Sequence, residues 1–211
     1  MEWIRIPVGP IKANAYILSN DDKACVIFDP GGESDKINQY IQTHDLIPKA
    51  ILLTHAHFDH IGAVDGIRIE WNIPVYLHQA EQDWLSDTEL NRSALPGRMK
   101  TTAKPADYLI EMEEEIHIGS FSFKVLFTPG HSPGSVSYYI KNENILISGD
   151  VLFKGGIGRT DISGGDHNLL LKTIQEKLFS LPEKTLVLSG HGDVTDIQTE
   201  RNQNPFLKNP R

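Results

Sequence analysis

Four side chains that can bind a divalent metal occur within six residues of this sequence. They are His55, His57, Asp59 and His60, and they follow the apolar run 50–53. Imidazole and carboxylate groups are ligands that zinc, iron and manganese share. Because His55 and His57 are too close in sequence to share one helical face, we expect them in a loop that leaves a strand. Asp59 and His60 fit the start of a following helix.

Three further candidate ligands each follow a later apolar run that ends in small residues. They are His131 after 123–130, Asp150 after 144–149 and His191 after 185–190. Short apolar runs bounded by glycine are typical of β-strands. Strands that each end at a ligand predict one cleft at their carboxyl ends, and the glycines would let the backbone turn sharply beside a metal.

The order of these ligands closely resembles the metallo-β-lactamase superfamily, whose HxHxDH motif corresponds to residues 55–60. The resemblance covers nearly the whole chain and implies an α/β fold, a four-layer αβ/βα sandwich with the helices outside. It also implies two divalent metal ions, with Zn²⁺ expected and iron or manganese as alternatives. The implied ligands are His55, His57 and His131 for one metal, Asp59, His60 and His191 for the other, and Asp150 bridging both.

Two metals that share a carboxylate can hold a hydroxide between them, because metal binding lowers the pKa of water to about 7. We expect this hydroxide to be the nucleophile that attacks a carbonyl polarised by one of the metals. The catalytic residues are therefore predicted to be the metal-binding carboxylates Asp59 and Asp150. A purely structural metal would instead predict one closed tetrahedral centre, usually with cysteine, and none of the candidate ligands is a cysteine.

The substrate prediction also comes from the resemblance. His60 and Asp150 match the hydrolases that resemble glyoxalase II, which implies a small-molecule thioester or ester as the substrate. In that group a basic residue at the position of Arg159 holds the carboxylate of the thiol carrier. A structural arginine paired with Asp161 or another carboxylate is the other interpretation. Asp161 replaces an aromatic residue of that group's pocket. Full-length glyoxalase II enzymes also continue into a helical domain that binds glutathione. The resemblance therefore does not identify the thiol that carries the acyl group.

Two other functions are kept as hypotheses. Persulfide dioxygenases share the fold and the Gly-Arg-Thr-Asp segment 158–161, and they use one iron held by two histidines and a carboxylate. The corresponding residues are His55, His131 and Asp150. The second hypothesis is a metal-dependent binding protein without catalytic turnover. Metal content and activity separate the three functions.

Length, charge and composition predict a single domain over residues 1–211. A hydrophobic content of 39% is enough for one core. The formal charge of −8, without a Lys/Arg cluster, argues against a nucleic-acid partner. The absence of a basic-then-apolar start and of an apolar run of ~18 residues predicts no membrane partner and a cytoplasmic location. The single cysteine, Cys25, is expected to be a small buried residue without chemistry.

The remaining elements are predicted as supports for the ligands. Strands over 3–9, 14–19 and 24–28, separated by turn sequences, predict an antiparallel meander. We expect one helix capped by Ser34, and another that begins at Asp59 and turns Ile61, Val64 and Ile67 inward. A third helix is expected near 168–180, with Leu170, Ile174 and Leu178 on one face. Periodicity is lost over 81–107, which predicts a lid or substrate loop, with a surface excursion as the alternative. Four histidines are expected outside the metal site: His44 at the edge of the core, His78 at the surface, His117 facing water from a strand, and His167 in the capping region of a helix.

Overall fold

A computed structural model describes residues 1–208 and divides the chain into two compact units. Unit 1 comprises Met1–Glu111 and His117–Phe121, and unit 2 comprises Met112–Ile116 and the chain from Ser122 onward. Within the described residues, no helix combines the length and the apolar character needed to cross a membrane.

Unit 1 contains a six-stranded sheet in which the strands follow each other in sequence order. The strands are β1 (Glu2–Val8), β2 (Ala13–Ser19), β3 (Ala24–Phe28), β4 (Ile47–Leu52), β5 (Val75–His78) and β6 (Tyr108–Ile110). β1, β2 and β3 pair antiparallel, which confirms the predicted meander. From β3 to β6 the pairing is parallel. The carboxyl ends of β3, β4, β5 and β6 therefore lie at one edge of the sheet.

Three α-helices and a 3₁₀ helix connect these strands, and two predicted details are wrong. The helices are α1 (Ser34–Thr43), α2 (Phe58–Ile61), α3 (Val64–Trp71) and the 3₁₀ helix Gln79–Leu85. Ser34 does not cap α1, because the N-cap is Glu33, whose carboxylate accepts a hydrogen bond from the Gly9 amide at 2.8 Å. The single helix predicted from Asp59 is two helices, because the Ala63 amide between them donates to the Pro30 carbonyl at 2.8 Å.

The core of unit 1 contains the helical side chains that the sequence periodicity predicts to face inward. Ile37 and Ile41 of α1 and the trio Ile61, Val64 and Ile67 are all buried in one cluster with residues of the sheet. Burial of these apolar faces fixes the helices against the strands. The loops that leave the sheet edge are thereby held in place.

A second six-stranded sheet belongs mostly to unit 2, in the order β14-β13-β10-β9-β8-β7. Its strands are β7 (Glu115–Ile118), β8 (Phe121–Phe127), β9 (Val136–Ile140), β10 (Ile145–Gly149), β13 (Leu186–Ser189) and β14 (Thr195–Asp196). A small hairpin joins β11 (Leu152–Phe153) to β12 (Gly156–Ile157). β10 and β13 are parallel neighbours, so residues just after them lie at the same edge.

Two helices complete the described part of unit 2. α4 (His167–Thr173) continues as a π-helical turn, Ile174–Leu178, and α5 is Ile197–Gln203. The helix predicted near 168–180 is confirmed, and its inward residues Leu170, Ile174 and Leu178 are all buried in the core of this unit.

Candidate metal centre

The structure brings the four clustered candidate ligands of unit 1 together at the carboxyl end of β4. His55 lies in the loop after this strand, His57 is the N-cap of α2, and Asp59 and His60 lie in the first turn of α2. The ring centroid of His55 lies 4.8 Å from that of His57 and 4.2 Å from that of His60. His60 Nε2 lies 3.4 Å from Asp59 Oδ2. The predicted loop and helix start are therefore both present.

Asp29, at the end of the neighbouring parallel strand β3, orients two of these histidines. Its buried carboxylate accepts hydrogen bonds from the Thr54 amide at 2.7 Å and from the Thr54 hydroxyl at 2.6 Å. Asp29 Oδ2 also lies 3.1 Å from His60 Nδ1. Thr54 Oγ1 in turn lies 3.0 Å from His55 Nδ1.

These contacts determine which ring nitrogens of His55 and His60 carry hydrogen. A hydroxyl has one hydrogen, and because Thr54 donates it to Asp29, Thr54 accepts from His55 Nδ1–H. A carboxylate only accepts, so His60 also carries its hydrogen on Nδ1. Nε2 of both rings is then the nitrogen with a lone pair for a metal. Although Asp29 lies within 4.8 Å of ligand atoms of these histidines, it faces their Nδ1 side and supports the ligands.

In unit 2 the structure brings His131, Asp150 and His191 together. Asp150 directly follows β10, and His191 lies just beyond the adjacent parallel strand β13. Asp150 Oδ2 lies 3.6 Å from His131 Nε2 and 3.5 Å from His191 Nε2. One carboxylate oxygen therefore lies close to both histidines, so the three side chains can contribute ligand atoms to one metal centre.

The tautomer of His131 is fixed by the backbone of Arg159. His131 Nδ1 lies 2.8 Å from the Arg159 carbonyl oxygen, which can only accept, so the lone pair of this ring is on Nε2. The backbone at position 158 passes close to the Asp150 carbonyl oxygen. Only glycine fits there, because a Cβ would overlap that oxygen. The backbone of segment 158–159 therefore positions the candidate ligand His131, independently of the role of the Arg159 side chain.

The Arg159 side chain is exposed and forms a two-pronged ion pair with Asp161. Its Nε donates to Oδ1 at 2.9 Å and its terminal nitrogen to Oδ2 at 2.8 Å. Hydrogen bonding to Asp161 raises the pKa of the guanidinium further above its ordinary value. The structural interpretation of Arg159 is thus realised, and its role in substrate binding stays a prediction.

The other histidines have varied positions. His117 is exposed, as expected, and His167 is the first residue of α4. The expectation of a core-edge position for His44 is wrong, since its exposed ring stacks on Tyr40 at 4.0 Å. His78 is buried rather than on the surface, and it accepts a hydrogen bond from the Ala80 amide at 3.2 Å. Burial lowers the pKa of His78.

Sequence reasoning missed two buried carboxylates beside the ligands. Asp29 was identifiable in principle, since it ends a strand that precedes the ligand strand in a parallel pair. Glu81 is fully buried and accepts from the Ala56 amide at 2.6 Å. No sequence pattern indicated Glu81, because it lies in a region without periodicity.

The donor set defines the class of protein. The seven candidate ligands are His55, His57, Asp59, His60, His131, Asp150 and His191. Imidazole and carboxylate donors without thiolate suit zinc, iron or manganese. Hydrogen bonds from Nδ1 to a carboxylate, a hydroxyl or a carbonyl are the usual supports of metal-binding histidines. The residues therefore fit divalent metal ions, and the class is a histidine- and aspartate-based metalloprotein.

The chain belongs to the metallo-beta-lactamase superfamily, whose family model matches residues 8–191. It is 64% identical over 207 residues to the probable metallo-hydrolase YqgX of Bacillus subtilis, covering 98% of both chains. It is 34% identical over 203 residues to the hydroxyacylglutathione hydrolase GloC of Haemophilus influenzae, covering 96% of both. The predicted family is therefore confirmed.

Solved structures confirm the predicted fold class, an α/β sandwich. BLEG-1 B3 metallo-beta-lactamase is 57% identical with a TM-score of 0.96, covering 98% of this chain and 100% of that one. TTHA1623 in a di-iron-bound form is 39% identical with a TM-score of 0.85, covering 97% and 100%. ETHE1 from Myxococcus xanthus is 27% identical with a TM-score of 0.79, covering 97% and 84%.

Proposed function

We propose that this protein hydrolyses small-molecule thioesters with the help of two divalent metal ions, Zn²⁺ being the expected metal. The observation that carries the proposal is the position of Asp150, whose Oδ2 lies within 3.6 Å of the Nε2 atoms of both His131 and His191. A carboxylate that lies close to two imidazoles is suited to bridging two ions that those imidazoles would bind.

We assign the ligands of the proposed centre as the resemblance implies. His55, His57 and His131 would hold one ion, Asp59, His60 and His191 the other, and Asp150 would contact both. Support within unit 1 comes from the clustered rings of residues 55–60 and from the Nδ1 contacts of His55 and His60. Support within unit 2 comes from the contacts of Asp150 and from the carbonyl that fixes His131.

The metal ions, when bound, would activate water near neutral pH and polarise the scissile carbonyl. The protein's own residues prepare the site. Asp29 and Thr54 keep hydrogen on the Nδ1 atoms of two histidines, so that these rings need no reorientation before they bind. Asp59 and Asp150 would supply two negative charges that partly offset the charge of the cations. No serine or cysteine nucleophile is needed.

The thioester assignment is supported by the similarity to GloC, which is named a hydroxyacylglutathione hydrolase and aligns over 96% of this chain. Arg159 is the proposed anchor for an anionic part of the substrate. The Phe153 ring, whose centroid lies 6.0 Å from that of His191, supplies an apolar surface next to a proposed ligand. The net charge of −8 also suits a small molecule better than a nucleic acid.

A second candidate function is the oxidation of a persulfide by one iron held by His55, His131 and Asp150. The TTHA1623 structure, solved in a di-iron-bound form, favours including iron in the test. The two functions differ in metal number and in co-substrate. Only the oxidation consumes oxygen.

The deciding experiment is metal quantification on the purified protein, followed by a substrate panel. The panel contains S-lactoyl thioesters of glutathione and of a smaller thiol, a β-lactam because of the similarity to BLEG-1, and a persulfide in an oxygen electrode. We expect two zinc ions per chain and thioester hydrolysis that a chelator abolishes and Zn²⁺ restores. One iron with oxygen uptake would establish the second candidate. Bound metal with no turnover on any substrate would establish a binding protein.

A further inference from the structure

We propose that residues 79–103 form a fixed clamp on the metal-ligand loop 55–60, and that Glu81 is its main positioning residue. This inference rests on the proposed metal site and is independent of the proposed substrate. The clamp begins with the 3₁₀ helix Gln79–Leu85 and lies largely within the region where the sequence predicts a lid or substrate loop. Both the clamp and the ligand loop belong to unit 1.

The first contact joins Glu81 to the middle of the HxH motif. Glu81 is fully buried, and its Oε2 accepts a hydrogen bond from the Ala56 amide at 2.6 Å. Ala56 lies between His55 and His57, so this bond fixes the peptide from which both histidines project. A hydrogen bond to a carboxylate is stronger than one to a neutral acceptor. A buried carboxylate is also costly, which favours a role that an apolar side chain could not fill.

The second contact fixes the start of α2. The Phe58 amide donates to the Asn91 carbonyl oxygen at 3.0 Å. Asn91 is itself fully buried, and its side-chain amide donates to the carbonyls of Trp84 and Thr101, both at 2.9 Å. The carbonyl that receives Phe58 is therefore held by a residue bonded on both sides within the clamp. Asp59 and His60 follow Phe58 directly.

Two ring contacts complete the clamp. The Trp84 ring centroid lies 5.4 Å from that of His57. The Arg98 guanidinium carbon lies 4.4 Å from the centroid of the Phe58 ring. The clamp also closes on itself, because the Ala103 amide donates to the Leu85 carbonyl at 2.7 Å.

These contacts touch three consecutive residues, Ala56, His57 and Phe58. A mobile lid has few buried contacts, whereas Trp84, Leu85, Asn91 and Ser93 are all buried. The expected consequence of loosening the clamp is a poorer arrangement of the metal ligands. Groups that orient metal ligands typically change metal affinity by 10- to 100-fold when they are removed.

The test compares Glu81 with Glu200, a carboxylate of unit 2 that is only 1% exposed and accepts from the Gly155 amide and the Thr195 hydroxyl. The variants are Glu81→Met, which removes the acceptor at similar volume, Glu81→Gln, which keeps an oxygen acceptor, and Glu200→Gln. Three quantities are measured: Zn²⁺ affinity by chelator competition, the visible absorption spectrum of the Co²⁺-loaded protein, and thermal unfolding of the metal-free protein.

We expect Glu81→Met to weaken Zn²⁺ binding about 10-fold or more and to alter the Co²⁺ spectrum. Glu81→Gln should weaken binding roughly fivefold. Glu200→Gln should lower the unfolding temperature of the metal-free protein but leave the affinity within about twofold and the spectrum unchanged. If Glu81→Met does not fold, the comparison of the two glutamine variants decides.

The proposal is overturned if the folded Glu81 variants bind metal as the unmodified protein does, or if Glu200→Gln weakens binding as much as Glu81→Gln. Failure here and failure of the proposed function are distinguishable. If the Glu81 variants bind metal normally and the protein hydrolyses thioesters, only the clamp proposal is wrong. If the Glu81 variants bind metal more weakly and the protein does not hydrolyse thioesters, only the substrate assignment is wrong.

Discussion

Asp150 is the residue on which the proposed two-metal chemistry depends most. One oxygen of its carboxylate, Oδ2, lies 3.6 Å from His131 Nε2 and 3.5 Å from His191 Nε2. Replacing that group by a neutral amide leaves a weaker ligand of nearly the same shape, since an amide nitrogen cannot coordinate and its oxygen carries no charge. The Asp150→Asn variant therefore tests the charge of the proposed bridging group at nearly constant side-chain volume.

Asp150→Asn is expected to lower metal content and thioester hydrolysis together. Removal of groups that merely orient ligands costs 10- to 100-fold in affinity or activity, so loss of a shared ligand should cost about 100-fold or more. Metal analysis and kcat/KM on the same preparation measure the two effects. Asp166→Asn, at the N-cap of α4, is a control that changes an aspartate of the same unit outside the proposed site. Two retained metals with full activity in Asp150→Asn would contradict the bridging assignment.

Arg159 and Asp161 give opposite predictions for an acidic substrate. If Arg159 binds the substrate with the same strength throughout the reaction, Arg159→Ala raises KM by roughly 2- to 5-fold with kcat nearly unchanged. Asp161→Asn removes the carboxylate that occupies the guanidinium, so KM should fall. Steady-state kinetics on paired acidic and neutral thioesters tests both variants. An unchanged KM for both would leave Arg159 with its structural role alone.

The candidate metal ligands could be identified from the sequence, whereas the residues that orient them could not. Histidines and aspartates just after apolar runs are visible in one dimension, as His131 and His191 show. Glu81 and Ala56 are 25 residues apart, and their contact depends on where the 3₁₀ helix folds back. Arg159 contributes its carbonyl oxygen to His131, a group that every residue has and that no sequence pattern marks.

Parallel strands with adjacent carboxyl ends are the elements that assemble the ligands. β3 and β4 place Asp29 beside Thr54, and β10 and β13 place Asp150 near His191. The loops after β3 and β4 must then pass each other closely. A Cβ at Gly31 would overlap the carbonyl oxygen of Asp59, so only glycine permits this approach.

Gly31→Ala should therefore destabilise the protein by about 3 kcal/mol or more, because backbone must move to accommodate the methyl group. The neighbouring Gly32 is a matched control, since a Cβ there would meet only the backbone of Gly9 at 3.4 Å. Gly32→Ala should stay within about 1 kcal/mol of the unmodified protein. Denaturant unfolding of the metal-free proteins gives both values, and equal stabilities would refute the close approach.

The positions of the strands could be predicted better than the ends of the helices. Apolar runs located β1 to β4 closely, because burial of these strands requires apolar residues. The start of α1 could not be predicted, because Glu33 is held by the distant Gly9 amide rather than by a local cap. The break between α2 and α3 likewise depends on the Pro30 carbonyl, which another loop supplies. Local propensity is overridden wherever a tertiary hydrogen bond is available.

At the scale of the whole molecule, each unit has a core of its own. Cys25, the single cysteine, lies in β3 and is fully buried in the core of unit 1. Burial raises the pKa of its thiol to about 12. The thiol is therefore both inaccessible and protonated at ordinary pH, so it can report on unfolding of this unit.

We expect Cys25 to react with a thiol reagent at pH 8 only when unit 1 unfolds. With a pKa of about 12, roughly one thiol in ten thousand is ionised in the folded state. The extent of labelling at increasing denaturant should follow the fluorescence of Trp3, Trp71 and Trp84, which all lie in unit 1. The fully unfolded protein provides the reference for complete labelling. Rapid labelling without denaturant would show that β3 is exposed in the native state.

The antiparallel meander at the start of the chain has a consequence for synthesis on the ribosome. β1, β2 and β3 end at Phe28 and pair only with neighbours in sequence, so little chain entropy opposes their early formation. β4 joins in parallel and can do so only after α1 has emerged. The nascent chain therefore exposes an unpaired strand edge for that interval, and this is the stage at which a chaperone would protect it from aggregation.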